Sequence, residues 1–184
     1  MAKINVGRFL LNLFSSSELA IMYFLIASGF LLQNTYSLFL FLAMVTKTFL
    51  LYYPKKWTQH TKLGKRPNGA FDCNMFSCGG KPDYGGLISG HMVNITMLAT
   101  VAGLSLDDVH FIHPQNMIAI AAIIVTTAAA RYLTKCHTIL QILLGTLVGG
   151  VFGYGLFLLQ KPLKKFKIFD DDQKELLKYL QVNA

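Results

Sequence analysis

The chain has 184 residues, 53% hydrophobic and only 14% charged, with a formal net charge of +8. A soluble domain carries about 25% charged residues. Here the deficit is gathered in long apolar runs, which excludes an ordinary soluble fold and points to a single integral membrane domain. The positive excess suits anionic headgroups and phosphate ligands, and no separate basic domain for nucleic acid is present.

Residues 3–14 read as a short interfacial helix carrying Lys3 and Arg8, without the small-residue cleavage site of a removable signal. Ser15 and Glu18 have capping-box spacing ahead of the first span, roughly 17–34. Asn34-Thr35-Tyr36 forms a tight polar turn, and a second span covers roughly 37–54, ending in Tyr52, Tyr53 and Pro54. Lys47 inside it is expected to snorkel or face the bundle rather than to serve as a ligand. Residues 55–88 form a long polar loop rich in glycine and basic residues, a length that signals function or disorder.

The third span, roughly 89–106, is short and carries Asn94, Thr96 and Thr100. Its Asn94-Ile95-Thr96 sequon lies within a span and is expected to be unused. Asp107, Asp108, His110 and His113 follow as solvated loop residues in preference to a metal site. A fourth span covers roughly 114–133 and a fifth roughly 137–160. Residues 161–184 form a basic then acidic juxtamembrane tail, with Leu176, Leu177 and Leu180 on one helical face. The expected architecture is therefore all-α: a multi-pass membrane bundle of about five spans over residues 1–160, with an active site at one membrane face.

Five spans bring three polar clusters to the same face. They are Lys62, Lys65, Arg66 and Pro67; Ser89, Gly90 and His91; and Arg131, His137 and Gln141. Ionisable groups at such depth are functional candidates by default. Arginine and lysine clamp a phosphoryl group, arginine with paired hydrogen bonds. Ser89 and Gly90 stand at a helix N-terminus, where N–H groups and the dipole favour an anion. Two histidines, His91 and His137, suffice for one nucleophile and one general acid. No carboxylate cluster is present to hold Mg²⁺, and no metal or cofactor is expected.

His137 and Gln141 share a helix face, so the Gln141 amide oxygen is expected to accept from His137 Nδ1–H and leave Nε2 free. The same spacing continues through Gly145, Gly149 and Gly153, a small-residue ridge for close packing within the bundle or in a homodimer.

These residues resemble the type 2 phosphatidate phosphatase superfamily, the lipid phosphate phosphatases, whose pattern is KxxxxxxRP, PSGH and SRxxxxxHxxxD. The matches are Arg66-Pro67, Ser89-Gly90-His91, and Arg131 with His137, in order and at the right spacing. The resemblance implies hydrolysis of a membrane lipid phosphate, with His137 as nucleophile, His91 as proton donor, and Arg66, Arg131, Ser89 and the Gly90 backbone on the phosphoryl oxygens. Gln59 stands where the first-motif lysine belongs, and Lys62 is taken as its substitute; Ile88 replaces the proline of PSGH.

Gln141 replaces the final aspartate, and this HxxxQ ending is similar to that of dolichyl diphosphate phosphatases, which favours a polyprenyl diphosphate substrate. The stretch from Arg66 to Cys73 also looks like short members from protists and large DNA viruses. The competing expectation is a catalytically degenerate relative that binds lipid headgroups or serves as a structural component. A transporter is less favoured, because the ionisable residues gather at one end rather than at mid-depth.

The KPLKKFK stretch reads as cytosolic, which places the site in the lumen or outside; Lys3, Arg8, Lys55 and Lys56 argue the other way. Cys73 and Cys78 are a candidate pair in an oxidising compartment and free thiols otherwise, with Cys136 a packing residue beside His137.

Overall fold

A computed structural model describes residues 17–70, 73, 85–107 and 114–165. Among these the chain is helical without strands: α1 Ser17–Leu31, α2 Thr35–Thr58, α3 Gly90–Asp107, α4 Pro114–Leu133 and α5 Ile139–Lys165. Each apolar run expected from the sequence falls on one helix. Among the described residues, two helices are long and apolar enough to cross a membrane, over Thr35–Thr58 and Ile139–Leu163. Shorter apolar stretches occupy Ala20–Leu31 and Met117–Leu133. The expected helix at 3–14, the loop histidines His110 and His113, Cys78 and the tail beyond residue 165 lie outside the described residues.

The first turn forms by capping. Gln33 takes a left-handed backbone, and the Asn34 side chain accepts from Ser37 N–H at 2.8 Å, starting α2. That helix does not stop at Pro54, as the sequence suggested. It runs one turn further to Thr58, whose hydroxyl donates to the Pro54 carbonyl at 2.6 Å. The extra turn matters because it carries Lys55 toward the centre of the molecule.

Helix α3 is the hub: it touches each of the other four helices. It is accordingly buried on all sides, with Met92, Val93, Asn94, Ile95, Thr96 and Met97 in succession inside. Leu25, Tyr36, Leu40, Met44, Met97 and Val101 form the main apolar cluster between α1, α2 and α3.

The most extensive helix pair is α3 with α5. It rests on the glycine ridge foreseen from the sequence. A β-carbon at Gly145 would lie 2.8 Å from the Ser89 carbonyl oxygen, one at Gly149 2.6 Å from that of Val93, and one at Gly153 2.5 Å from that of Met97. Only glycine permits that approach. The ridge is thus occupied within the chain, by α3.

Substitution should separate the ridge from its neighbours. Gly149→Val should destabilise the fold by about 2 kcal/mol or more, through forced repacking against backbone. Gly150→Ala, with open space around its β-carbon, should be neutral or gain up to about 1 kcal/mol of helix propensity. Thermal unfolding in detergent distinguishes the two; equal tolerance would contradict the packing described.

Candidate active site

His137 stands six positions after Arg131, and a defined turn lets them meet. Helix α4 ends in a Schellman arrangement, with Lys135 in the left-handed region at φ 56°. Lys135 N–H donates to the Tyr132 carbonyl at 2.9 Å, and Cys136 N–H to the Arg131 carbonyl at 3.1 Å. His137 N–H reaches the same Arg131 carbonyl at 3.2 Å. The chain thus reverses in the five residues between Leu133 and Ile139, and both Arg131 and His137 are buried, at 1% and 2% exposure.

His137 Nδ1 lies 3.0 Å from the Gly86 carbonyl oxygen. A carbonyl can only accept, so Nδ1 carries the proton and Nε2 keeps its lone pair. This corrects the expected partner: Gln141 does not hold His137. Its amide oxygen accepts from Thr138 N–H at 3.1 Å, while its Nε2 donates to the Leu63 and Lys65 carbonyls at 2.7 and 3.1 Å. Gln141 is therefore the clasp between α5 and the loop after α2.

Gly86, unremarked in the sequence, is the residue that matters here. Its N–H donates to the Gly64 carbonyl at 2.7 Å, and a β-carbon would stand 2.8 Å from Gln141 Oε1 and 3.0 Å from Arg66 Cγ. The paired Gly85-Gly86 before α3 was the available signal for such a close approach.

Both expected arginines arrive at this end of the bundle. Arg66 donates to the Cys136 carbonyl at 2.9 Å and, at a long 3.4 Å, to that of Gly85. Arg131 donates to the Cys73 carbonyl at 2.6 Å. Cys136 is not a packing thiol, and Cys73 does not pair with Cys78. Cys73 and Cys136 form a disulfide, with their Cα atoms 5.2 Å apart across 63 residues of chain.

The N-terminus of α3 completes the site. Ser89 is fully buried; its N–H donates to the Gln141 carbonyl at 3.3 Å, and its hydroxyl accepts weakly from Met92 N–H at 3.5 Å. The Ser89 N–H is thus engaged with α5 rather than held open for an anion. His91, in the first turn, is buried and lies within electrostatic range of Arg131, His137, Lys55 and Lys47.

Two lysines from α2 converge on Gly90, where a β-carbon would lie 3.3 Å from Lys55 Nζ and 3.8 Å from Lys47 Nζ. Lys47, 3% exposed, also donates to the Gly90 carbonyl at 3.4 Å. Lys62, expected from the sequence to reach the site, is exposed, whereas Lys55 and Lys47 stand beside Gly90. Lys47 and Lys55 are eight residues apart, which puts them on one helix face. That register was readable once α2 is known to pass through Pro54. Among the described residues no group of His, Cys, Asp and Glu is gathered that could hold a metal ion.

The arrangement joins a neutral imidazole, a second histidine and four cationic side chains at a buried helix N-terminus. That set can bind a multiply charged oxyanion, attack it and protonate a leaving group. Two consequences are measurable. Gln141→Glu turns a double donor into an acceptor facing two carbonyls, and should cost about 2 kcal/mol or more of stability; thermal unfolding reads this directly, and an unchanged midpoint would contradict the clasp.

The second consequence concerns protonation. Burial, then the charges of Arg66, Arg131 and Lys55, push the His137 imidazole well below its usual 6.5, against the raising effect of the Gly86 bond. Below 6.5 the unfolded chain takes up a proton that folded His137 refuses. The stability tied to His137 is therefore present above that pH and declines as pH falls. Spectra of ¹⁵N-histidine-labelled protein at pH 6 should show His137 with Nε2 unprotonated; an imidazolium would refute the assignment.

No curated protein matches the chain, and no solved structure does. The sequence does match the PAP2 superfamily over residues 18–165, a range that contains every site residue named above. On that match the chain belongs to the PAP2 superfamily, whose members are phosphatases.

Proposed function

We propose that this protein is a multi-pass membrane enzyme that hydrolyses a lipid phosphate without a metal ion, through a phosphohistidine on His137. The favoured substrate is a polyprenyl diphosphate of the dolichyl type. Family membership supports a general phosphoesterase role. The observation that carries the finer reading is the bond from His137 Nδ1 to the Gly86 carbonyl. It fixes the tautomer whose Nε2 can attack, the task for which the family pattern uses an aspartate.

The reaction runs in two steps. His137 Nε2 attacks phosphorus as the bond to the leaving oxygen breaks, and His91 gives that oxygen its proton. A water then attacks the phosphohistidine, passing a proton to His91, and orthophosphate departs. Arg66, Arg131 and Lys55 face the developing negative charge, and the Ser89 hydroxyl, already an acceptor from Met92, still has its own proton to donate. The charge is met by nitrogen cations rather than by carboxylates of the kind that hold Mg²⁺. A fourth cation, Lys47, supports a substrate with two phosphoryl groups over one with a single group.

The distribution of side chains supports embedding in a bilayer. Arg131, His137, Gln141 and Gln160 are among the largest fully buried side chains, whereas Phe49, Ile118, Leu147 and Val151 are each more than 60% exposed. We place all five helices across the membrane over a single domain, with the bilayer as the solvent for that apolar surface. The glycine ridge is already filled by α3, so it gives no support to a homodimer.

The test is phosphate release in EDTA from a polyprenyl diphosphate, phosphatidate and phosphatidylglycerol phosphate. His137→Ala should abolish release, His91→Ala should lower it about 10²–10⁴-fold, and Lys55→Ala about 10²-fold, whereas Lys62→Ala should leave it unchanged. Release that survives His137→Ala would defeat the mechanism. Lipid binding without turnover, unchanged in that variant, would favour the degenerate headgroup binder.

A further inference from the structure

The two arginines reach the site by different routes, yet both end on the same covalent link. Arg131 donates to the carbonyl of Cys73, and Arg66 donates to the carbonyl of Cys136. Those cysteines are bonded to each other and are both buried. Neither contact is local, since Arg66 and Cys136 are 70 residues apart and Arg131 and Cys73 are 58 apart.

We infer that the Cys73–Cys136 disulfide is a positioning element for the oxyanion site, so that Arg131 is brought into register with Arg66 only in the oxidised protein. The link ties the loop after α2 to the turn before α5. It thereby fixes the two carbonyls against which the guanidinium groups are oriented. Without it, the Cys73 carbonyl is no longer anchored to the α4–α5 turn, and Arg131 loses its fixed acceptor. The Cys136 carbonyl stays in the Schellman turn, so Arg66 is affected less. His137 lies next to Cys136 and keeps its Gly86 partner. The effect should therefore fall on oxyanion binding before it falls on the nucleophile.

A corollary concerns sidedness. A structural disulfide persists in an oxidising compartment. The end of the bundle that holds the site therefore faces the lumen or the outside, where a thiol–disulfide oxidoreductase takes two electrons from the cysteine pair. Reduction by a dithiol reverses this. One thiolate of the reagent attacks a cysteine sulfur and the S–S bond breaks. That expels its partner cysteine as a thiolate; the second thiol then displaces the attacked cysteine from the mixed disulfide, and the reagent leaves as a cyclic disulfide.

The inference rests on the oxyanion-binding reading of the site, and its test does not require turnover. Cys78→Ser leaves a chain in which Cys73 can pair only with Cys136, because there are 3 cysteines in all. Full-length protein of this variant would be purified oxidised and, in parallel, in dithiothreitol. Peptide mapping would establish the pairing, and calorimetry would measure affinity for tungstate, a phosphate mimic.

The expected result is a mapped Cys73–Cys136 peptide and tungstate affinity about tenfold or more weaker after reduction, restored on reoxidation. With lipid substrate, KM should rise more than kcat falls. Cys73→Ser with Cys136→Ser should behave like the reduced protein and be indifferent to dithiothreitol. Thermal unfolding of each form separates loss of the site from loss of the fold. Free thiols at both positions in protein alkylated in intact membranes would overturn the inference. So would undiminished tungstate affinity in folded, reduced protein, or no tungstate binding by either form. Redox-dependent tungstate binding without hydrolysis of any lipid would uphold it while removing the phosphatase reading.

Discussion

Everything at the site depends on how closely α3 and α5 approach. Backbone-to-backbone packing along Gly145, Gly149 and Gly153 sets the first turn of α3 against the first turn of α5. At that junction Ser89 N–H meets the Gln141 carbonyl, and a β-carbon on Gly145 would strike Ser89. His91 and His137 stand at the two helix starts on either side of this contact. His91 is fixed by the first turn of α3, and His137 by the turn that leads into α5 and by its bond to the Gly86 carbonyl.

Around that rigid junction the remaining parts are fastened by main-chain carbonyls. Gly86 holds His137, Cys136 and Cys73 hold the arginines, and Leu63 and Lys65 hold Gln141. Carbonyls orient a cation or an N–H without adding a full negative charge. Arg66 and Arg131 are thus placed by main-chain carbonyls, with no carboxylate at those contacts. Gln141 belongs to this scaffold. Its position after His137 makes it look like a substitute for a charged triad partner, but its amide is spent on three main-chain contacts.

Several of the largest fully buried side chains are polar, among them Arg131, His137, Gln141 and Gln160. Lys47 and Arg131 at 3% and 1% exposure would be costly in isolation. Main-chain acceptors offset part of that cost, the Gly90 carbonyl for Lys47 and the Cys73 carbonyl for Arg131. The far end of the bundle shows the same economy on a smaller scale, with Gln160 donating to Ser105 at 2.9 Å between α5 and α3. Such interhelical polar contacts give register to helices whose apolar faces provide little.

Much of this was legible in the chain. Composition and apolar runs marked the five helices, and the spacings of Arg66, Ser89-Gly90-His91, Arg131 and His137 marked one polar end. The four-residue glycine period marked the tight helix pair. These features are local, carried by residue identity and helical period, and both are visible in one dimension. The partners were not. The acceptor for His137 is the carbonyl of Gly86, and a carbonyl has no letter of its own, so only the folded path of the chain could select it over Gln141. The arrival of Lys55 beside Lys47 at Gly90 turned on one extra turn of α2 beyond Pro54. The pairing of Cys73 with Cys136 turned on a contact across 63 residues. Sequence determined which chemistry is present and at which end of the helices; tertiary structure alone decided which group touches which, because those contacts join backbone atoms and side chains far apart along the chain.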